Sequence, residues 1–214
     1  MPAVSWFLGF LYSQFLVTPP KPTKPFTGQT VIVTGSNTGL GLEAARQITR
    51  LDAAKVILAV RTLSKGEAAK ASIEASTGRK GVVEVWPLDL SSYESVKQFA
   101  TRATSELQRV DVLLENAGMM ISKFEITEQD ESTVTTNVVS TFLLALLMLP
   151  KMRETSQRFN TIPRLTVVSS DMHFVTKFPD QNAENVFGAL SDKEKADMPD
   201  RYFSSLLNYY VGCR

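Results

Sequence analysis

The chain has 214 residues, of which 43% are hydrophobic and 21% charged. A chain of this length can bury one sizeable core and is too short to favour two domains. Its 23 basic and 22 acidic residues nearly balance, which argues against a nucleic-acid partner. A single Cys (Cys213) and a single His (His173) exclude an intramolecular disulfide and a metal site built from Cys or His clusters. We therefore expect one cytoplasmic α/β domain without a metal.

The first 28 residues differ from the rest. The run Val4 to Val17 is mostly apolar, but its 14 residues are fewer than the about 20 that a membrane-spanning helix needs. A secretory signal requires a Lys or Arg before its apolar run, and none precedes this one. We predict a helix that docks on its own domain or on a partner. The alternative is peripheral membrane contact through residues 4–17. Five aromatic residues favour that alternative: Trp6, Phe7, Phe10, Tyr12 and Phe15. The four prolines of Thr18–Thr27 indicate an extended linker.

From residue 29 onward, apolar β-branched runs alternate with helical stretches. The predicted strands are Val31–Gly35, Lys55–Val60, Val82–Leu90, Val110–Gly118 and Arg164–Ser170. The predicted helices are Leu40–Leu51, Ser64–Thr77, Ser91–Leu107 (opened by a Ser91 and Glu94 capping box) and Asp130–Arg153. This alternation is typical of a parallel sheet covered on both faces. We expect one domain over 29–214 with a Rossmann-type doubly wound parallel sheet.

The strongest local signal is TGSNTGLG, residues 34–41, between a predicted strand and a predicted helix. Glycines at this point allow a sharp turn and close approach of backbone N–H groups to a pyrophosphate, which a helix N-terminus favours. We therefore predict a dinucleotide site. Its predicted contacts are Gly35, Ser36, Asn37, Gly39, Leu40 and Gly41.

The segment TGSNTGLG resembles the cofactor loop of the short-chain dehydrogenase/reductase superfamily, and four later segments agree in order. Asp89 resembles the family's adenine-contacting Asp. Asn116, Ala117 and Gly118 resemble its Asn-Asn-Ala-Gly motif, with Glu115 replacing the first Asn. The resemblance further implies that Asn137 holds a catalytic water, that Ser170 binds the substrate oxygen and that Tyr202 transfers the proton. It covers about residues 29–202 and implies an oxidoreductase that interconverts a carbonyl and an alcohol.

The choice between NAD and NADP can be argued from charge. NAD sites place a carboxylate near the end of the second strand, where it holds the ribose 2′-hydroxyl. Here that place holds Ala59, Val60 and Arg61. A guanidinium suits a 2′-phosphate, and Lys65 adds a second cation. We expect NADP(H).

The resemblance breaks down near the end of the chain. The family places a Lys four residues after its Tyr, to assist proton transfer and to hold the nicotinamide ribose. Position 206 is Leu, no Lys follows Lys195, and the chain ends at Arg214 before the family's last two strands. We therefore expect a sheet that is incomplete at its C-terminal end and weak activity at most. The rival hypothesis is a truncated, inactive member that binds a nucleotide or a partner.

The segment between Ser170 and Tyr202 is long for the superfamily, and such loops commonly form substrate lids. Its sequence and the N-terminus look like those of retinol-dehydrogenase-like enzymes of filamentous fungi. That resemblance implies a small hydrophobic substrate in secondary-metabolite (polyketide or terpenoid) biosynthesis. The substrate, the reaction direction and the oligomeric state are not readable from the residues, and an oligomer is compatible with them.

Overall fold

A computed structural model describes the backbone of residues 2–174 and 176–211 and the side chains of residues 8–170, 173–174 and 176–206. Cys213 and the side chains of Trp6 and Phe7, which entered the sequence predictions, lie outside this described part.

A parallel sheet forms the centre of the domain. The strands in chain order are β1 (Thr30–Thr34), β2 (Lys55–Val60), β3 (Val83–Pro87), β4 (Val112–Glu115), β5 (Ile126–Thr127), β6 (Asp130–Glu131) and β7 (Arg164–Val167). Five of them pair in the order β3-β2-β1-β4-β7, and every neighbouring pair is parallel. Strands β5 and β6 form a separate antiparallel pair. The predicted α/β class and the parallel Rossmann-type sheet are confirmed.

Helices precede, connect and follow the parallel strands. They are α1 (Pro2–Leu16), α2 (Gly39–Arg50), α3 (Leu63–Thr77), α4 (Tyr93–Glu106), α5 (Ser132–Val134), α6 (Thr141–Phe159), α7 (Val186–Leu190) and α8 (Met198–Val211). A π-helical segment, Thr135–Ser140, joins α5 to α6 without a break. Two short 3₁₀ turns, Asp171–Phe174 and Pro179–Asn182, lie between β7 and α8.

Two apolar clusters cover the two faces of the sheet. Since side chains alternate along a strand, Ile32 and Leu113 face one cluster, while Val31 and Val33 face the other. The first cluster contains buried residues of α4 and α6, and the second contains residues of α2 and α3. The sheet is therefore covered on both sides, as the continuous apolar strands predicted.

Several predicted boundaries were wrong by a few residues. The residue that caps α4 is Ser92, whose Oγ accepts a hydrogen bond from the Ser95 N–H; Ser91 instead bonds Asp89. The third and fourth predicted strands end early, at Pro87 and Glu115. The long predicted helix begins at Ser132 and continues to Phe159. Past the two shortened strands, the N–H groups of Asp89 and Asn116 donate to the side chains of Ser95 and Thr34.

The two apolar helical segments behave differently. The helix over Ser132–Phe159 is long and apolar enough to cross a membrane, but 67% of its apolar window is buried within the domain, so it is a core helix. By contrast, Leu8, Tyr12, Phe15 and Leu16 of α1 are each at least 60% exposed. The predicted docking of α1 on its own domain is therefore not seen at these side chains, and contact with a partner or a membrane stays a prediction.

Helix α3 sits close to the sheet, and one glycine makes this approach possible. A Cβ at Gly66 would lie 2.4 Å from Val85 Cγ1 and 2.8 Å from Val60 Cγ2. We expect Gly66→Ala to lower the free energy of unfolding by about 1–2 kcal/mol, because overpacking outweighs the gain in helix propensity. The measurement is urea unfolding, with the exposed Glu67→Ala as control. A more stable Gly66→Ala would contradict the close packing.

Candidate active site

The strand order reverses between β1 and β4, because the chain moves outward to β2 after one and to β7 after the other. Helix α2 follows β1 on one face of the sheet, and α6 lies on the other. Open α/β sheets bind ligands in the crevice that this divergence leaves at the carboxyl ends of the strands. The predicted site residues lie around this point.

A buried threonine joins the two loops at the crevice. Thr34 Oγ1 accepts hydrogen bonds from the backbone N–H of Asn116 (3.0 Å) and of Ala117 (2.9 Å). In return, Asn116 Nδ2 donates to the Thr34 carbonyl at 3.1 Å. The hydroxyl therefore holds the loop after β4 against the end of β1.

Two glycines are required by the resulting closeness. Gly35 has a φ of +64°, and a Cβ there would lie 2.9 Å from Ala117 Cα. A Cβ at Gly41 would lie 2.5 Å from Asn116 Nδ2 and 2.7 Å from the Gly35 carbonyl oxygen. Only glycine fits at both places without displacing backbone.

A cleft of about 210 Å³ opens beside this loop. Seven of the predicted cofactor contacts line it: Gly35, Asn37, Arg61, Lys65, Asp89, Ala117 and Gly118. Arg61 and Lys65 are exposed, and neither forms an ion pair within the described part of the chain. The cleft thus combines loop backbone with two available cations.

Two helices begin at this cleft without a side-chain cap at their N-terminal ends. Thr38 precedes α2 and Thr62 precedes α3, and neither side chain caps its helix with a hydrogen bond. The first N–H groups of each helix therefore remain available to an anion, and the helix dipole favours negative charge there. A glycine-lined approach, two uncapped helix N-termini and two cations fit the phosphates of a dinucleotide.

A second cavity, of about 440 Å³, adjoins the cleft through Ala117, Gly118 and Met119. It is lined by Leu40, Asn116, Ala117, Gly118, Met119, Met120, Asn137, Val168, Ser169, Ser170, Tyr202 and Leu206. The structure thus brings together the three residues predicted to carry the chemistry, which lie far apart in sequence. Leu206, at the position of the family's Lys, is 5% exposed, and no Lys is among the lining residues.

Asn137 lies in the π-helical segment, and its amide is fully engaged by the protein. Its Oδ1 accepts the Met119 N–H at 2.8 Å, and its Nδ2 donates to the Met119 carbonyl at 2.9 Å. The same Nδ2 donates to Ser205 Oγ at 3.1 Å. Asn137 therefore fixes the loop after β4 and contacts α8 at once. That it holds a water remains a prediction.

One predicted contact, Ser36, takes a different place from the one expected. The Ser36 side chain is buried and donates to the Val33 carbonyl at 2.8 Å, so only its backbone can face a ligand. His173 Nδ1 lies 2.6 Å from the Ser170 carbonyl oxygen, which is consistent with a structural loop His. Sequence reasoning missed Thr34, Thr136 (which lines the cleft) and Ser205. The sequence offers a signal for two of them only: Thr34 is next to Gly35 in the chain, and Ser205 is three residues after Tyr202.

Glu115, at the end of β4, is an unusual residue for this position. It is 3% exposed and lies on the same side of the sheet as Leu113, which belongs to the apolar cluster with α4 and α6. Neither carboxyl oxygen has a hydrogen-bond partner within the described part of the structure. Burial raises the pKa of this carboxyl to about 8. Since desolvation disfavours the charged form, Glu115 is mostly neutral at pH 7.

Fold and site together define a Rossmann-type α/β domain with a second cavity beside the glycine-lined cleft. The sequence model of the family described as short chain dehydrogenase matches residues 29–174. The chain belongs to this family.

Relatives and solved structures agree with this assignment. The chain is 47% identical over 212 residues to the short chain dehydrogenase/reductase dmxR8 of Cryptosporiopsis, covering 97% of this chain and 65% of that protein. It is 46% identical to the short-chain dehydrogenase anuD of Penicillium roqueforti, covering 91% of this chain and 51% of that protein. The chain thus spans between half and two thirds of these relatives.

Among solved structures, a short chain dehydrogenase from Shigella flexneri complexed with NADP superposes with a TM-score of 0.64. The two are 24% identical, and the match covers 89% of this chain and 71% of that one. At this identity the likeness shows the shared fold.

The neutral Glu115 makes stability depend on pH. The unfolded carboxyl releases its proton near the ordinary value of 4.5, whereas the folded one keeps it until about pH 8. Stability therefore falls as pH rises from about 4.5 to 8, by on the order of 3–5 kcal/mol, and then levels off. We expect Glu115→Gln to remove most of this slope and to be the more stable protein at pH 8.

The measurement is the free energy of unfolding in urea at several pH values between 4.5 and 8.5. The exposed Glu67→Gln serves as control and is expected to keep the slope of the unaltered protein. A Glu115→Gln variant with that same slope would show that this carboxyl is ionised in the folded state.

Proposed function

We propose that this chain is an NADP(H)-dependent oxidoreductase that interconverts a carbonyl and an alcohol on a small hydrophobic substrate. The observation that carries the proposal is the convergence of Asn137, Ser170 and Tyr202 on one cavity beside a cation-bearing cleft. The relatives' names and fungal origins support the resemblance to enzymes of secondary-metabolite (polyketide or terpenoid) biosynthesis.

The proposed cofactor contacts divide by the part of the nucleotide that each suits. The loop over 35–41 and the N-terminus of α2 suit the pyrophosphate, and Asp89 suits the adenine. Arg61 and Lys65, at the N-terminus of α3, suit a 2′-phosphate. The bound cofactor would supply or accept the hydride, and NADP-bound structural neighbours share this fold.

The proposed roles in the second cavity are those of orientation and proton transfer. The Ser170 hydroxyl would hydrogen-bond the substrate oxygen, and the Tyr202 hydroxyl would give or take its proton. The cavity wall around them includes Leu40, Met120 and Val168, which suit an apolar substrate. Asn137 would keep the loop between the two cavities in place.

The second candidate function is nucleotide binding without turnover. The buried Leu206 favours it, because no cation is found among the described residues that line the cavity where the family's Lys would assist Tyr202. The cofactor cleft does not depend on that position. Binding and catalysis can therefore be tested separately.

Cofactor preference is tested at Arg61. We expect the chain to bind NADPH more tightly than NADH, and Arg61→Ala to weaken NADPH binding by about tenfold to a hundredfold, the value of one charged hydrogen-bonded contact. NADH affinity should change little. Fluorescence titration of both cofactors is the measurement, with Arg50→Ala, which lies at the far end of α2, as control. Equal affinity of the unaltered chain for both cofactors would refute the preference.

Catalysis is tested at Leu206. We expect very slow NADPH oxidation by the chain across a panel of ketones and aldehydes. Leu206→Lys alone should gain less than about tenfold, because the buried site disfavours the charged Lys. A chimera with the C-terminal part of the Cryptosporiopsis relative joined after Tyr202 should gain about a hundredfold or more. Turnover of the unaltered chain equal to that of the chimera would mean that another group supplies the cation.

A further inference from the structure

The segment between Ser170 and Tyr202 is packed onto the domain by its own small core. Phe178 and Leu190 are buried against Val134 of α5, and Val139 and Val186 pack around them. A hydrogen bond adds to this packing, since Ser191 Oγ accepts the Glu131 N–H at 3.1 Å. This segment and α8 therefore rest on the start of the helix that leads to Asn137.

A buried arginine lies beside this small core. Arg201 directly precedes Tyr202 in α8, and its side chain is 2% exposed. Its Nε lies 3.9 Å from Glu131 Oε2, and its Nη1 lies 3.9 Å from Asp180 Oδ2. Both distances are longer than a hydrogen bond, and Arg201 Nε has no hydrogen-bond partner within the described part of the structure, so the attraction is between charges. One buried cation thus faces two carboxylates, one just before the Asn137 segment and one in the segment after Ser170.

Glu131 is itself held rigidly. It is fully buried, and its carboxylate accepts hydrogen bonds from the N–H groups of Thr133 (3.0 Å) and Val134 (3.3 Å) at the start of α5. The same carboxylate therefore caps the helix that leads into the Asn137 segment and attracts Arg201. Farther along α8, Ser205 receives the hydrogen bond of Asn137. Two contacts, on either side of Tyr202, join α8 to the Asn137 segment.

We propose that Arg201 is a positioning residue, whose buried ion pair with Glu131 and Asp180 holds Tyr202 at the cavity that it shares with Asn137 and fixes the segment over 176–200 on the domain. The inference rests on the proposed function only for the catalytic role of Tyr202. The seating of α8 is a property of the fold and can be measured without turnover.

The physical basis is the cost of an unpaired buried charge. Removing one partner of a buried ion pair leaves the other charge without compensation, which costs far more than the pair contributes. Arg201→Met would leave Glu131 charged and fully buried. Local opening of α8 and of the segment over 176–200 would expose this carboxylate to water at the lowest cost in free energy, because the sheet and the cofactor cleft do not use this contact.

The experiment compares Arg201→Met, Arg201→Lys and the double variant Arg201→Met/Glu131→Gln in the full chain. The control is Arg158→Met, which removes an exposed Arg paired with Glu154. Hydrogen exchange is followed over 176–206 and over β1, and NADPH affinity is titrated. The kcat and the NADPH KM of NADPH oxidation are measured with a ketone of the panel.

We expect Arg201→Met to raise exchange over 176–206 by about a hundredfold, with β1 and NADPH affinity within about twofold of the unaltered chain. Where turnover is measurable, kcat should fall about tenfold at constant NADPH KM, since only Tyr202 is displaced. Arg201→Lys should recover most of the protection. The double variant should recover part of it, because Gln leaves no buried charge.

Unchanged exchange over 176–206 in Arg201→Met would overturn the proposal, and so would an equal rise over β1 or a parallel loss of NADPH affinity. If Arg201→Met does not fold, the small rise in exchange that remains in Arg201→Lys decides. A rise confined to 176–206 supports a local role, whereas no rise, or a rise spread evenly over the sheet, contradicts it. Failure of the unaltered chain to bind or oxidise NADPH would refute the proposed function while leaving the exchange result intact.

Discussion

The arrangement of the site depends on one buried hydroxyl. Thr34 Oγ1 accepts two backbone N–H groups from the loop after β4, and this brings Ala117 against Gly35 and Asn116 against Gly41. The connections that follow the paired strands β1 and β4 leave toward opposite faces of the sheet, so the strand pairing itself does not hold these loops together. Met119, two residues beyond Ala117, then meets the Asn137 amide. The wall between the two cavities is set by this chain of contacts.

Much of the fold follows from local sequence, because apolar runs and glycine spacing report burial and backbone conformation directly. The strands over 31–34 and 55–60 are of this kind. Strand ends are harder to predict, because they depend on partners distant in sequence. The Asn116 N–H donates to Thr34 Oγ1 in place of a neighbouring strand, and Leu88, just past β3, joins an apolar cluster. The cap at Ser92 in place of Ser91 shows the same limit: Asp89 engages Ser91, and a capping pattern does not reveal such a competitor.

The site residues divide along the same line. Motif residues of the glycine-rich loop can be predicted because they stand at consecutive positions, where glycine spacing indicates the backbone conformation. Arg201 and Glu131 cannot, since their value lies in a pairing across seventy positions of chain and in burial that no periodicity records. Glu115 is a related case. Its replacement of an Asn is visible in sequence, but its neutral state follows from the apolar face of β4 on which it lies.

The cleft and the second cavity share Ala117, Gly118 and Met119, but their other walls come from different elements. The cleft draws on β1, β2 and the starts of α2 and α3, all of which are packed into the two main cores. The second cavity draws on Tyr202 and Leu206 of α8, which contacts the rest of the domain through a buried ion pair beside a smaller core. Under the proposed function, a change in α8 would therefore impair proton transfer and leave the cleft intact. Under the proposed function, nucleotide binding is compatible with Leu206, whereas carbonyl reduction requires that some other group supply the cation beside Tyr202.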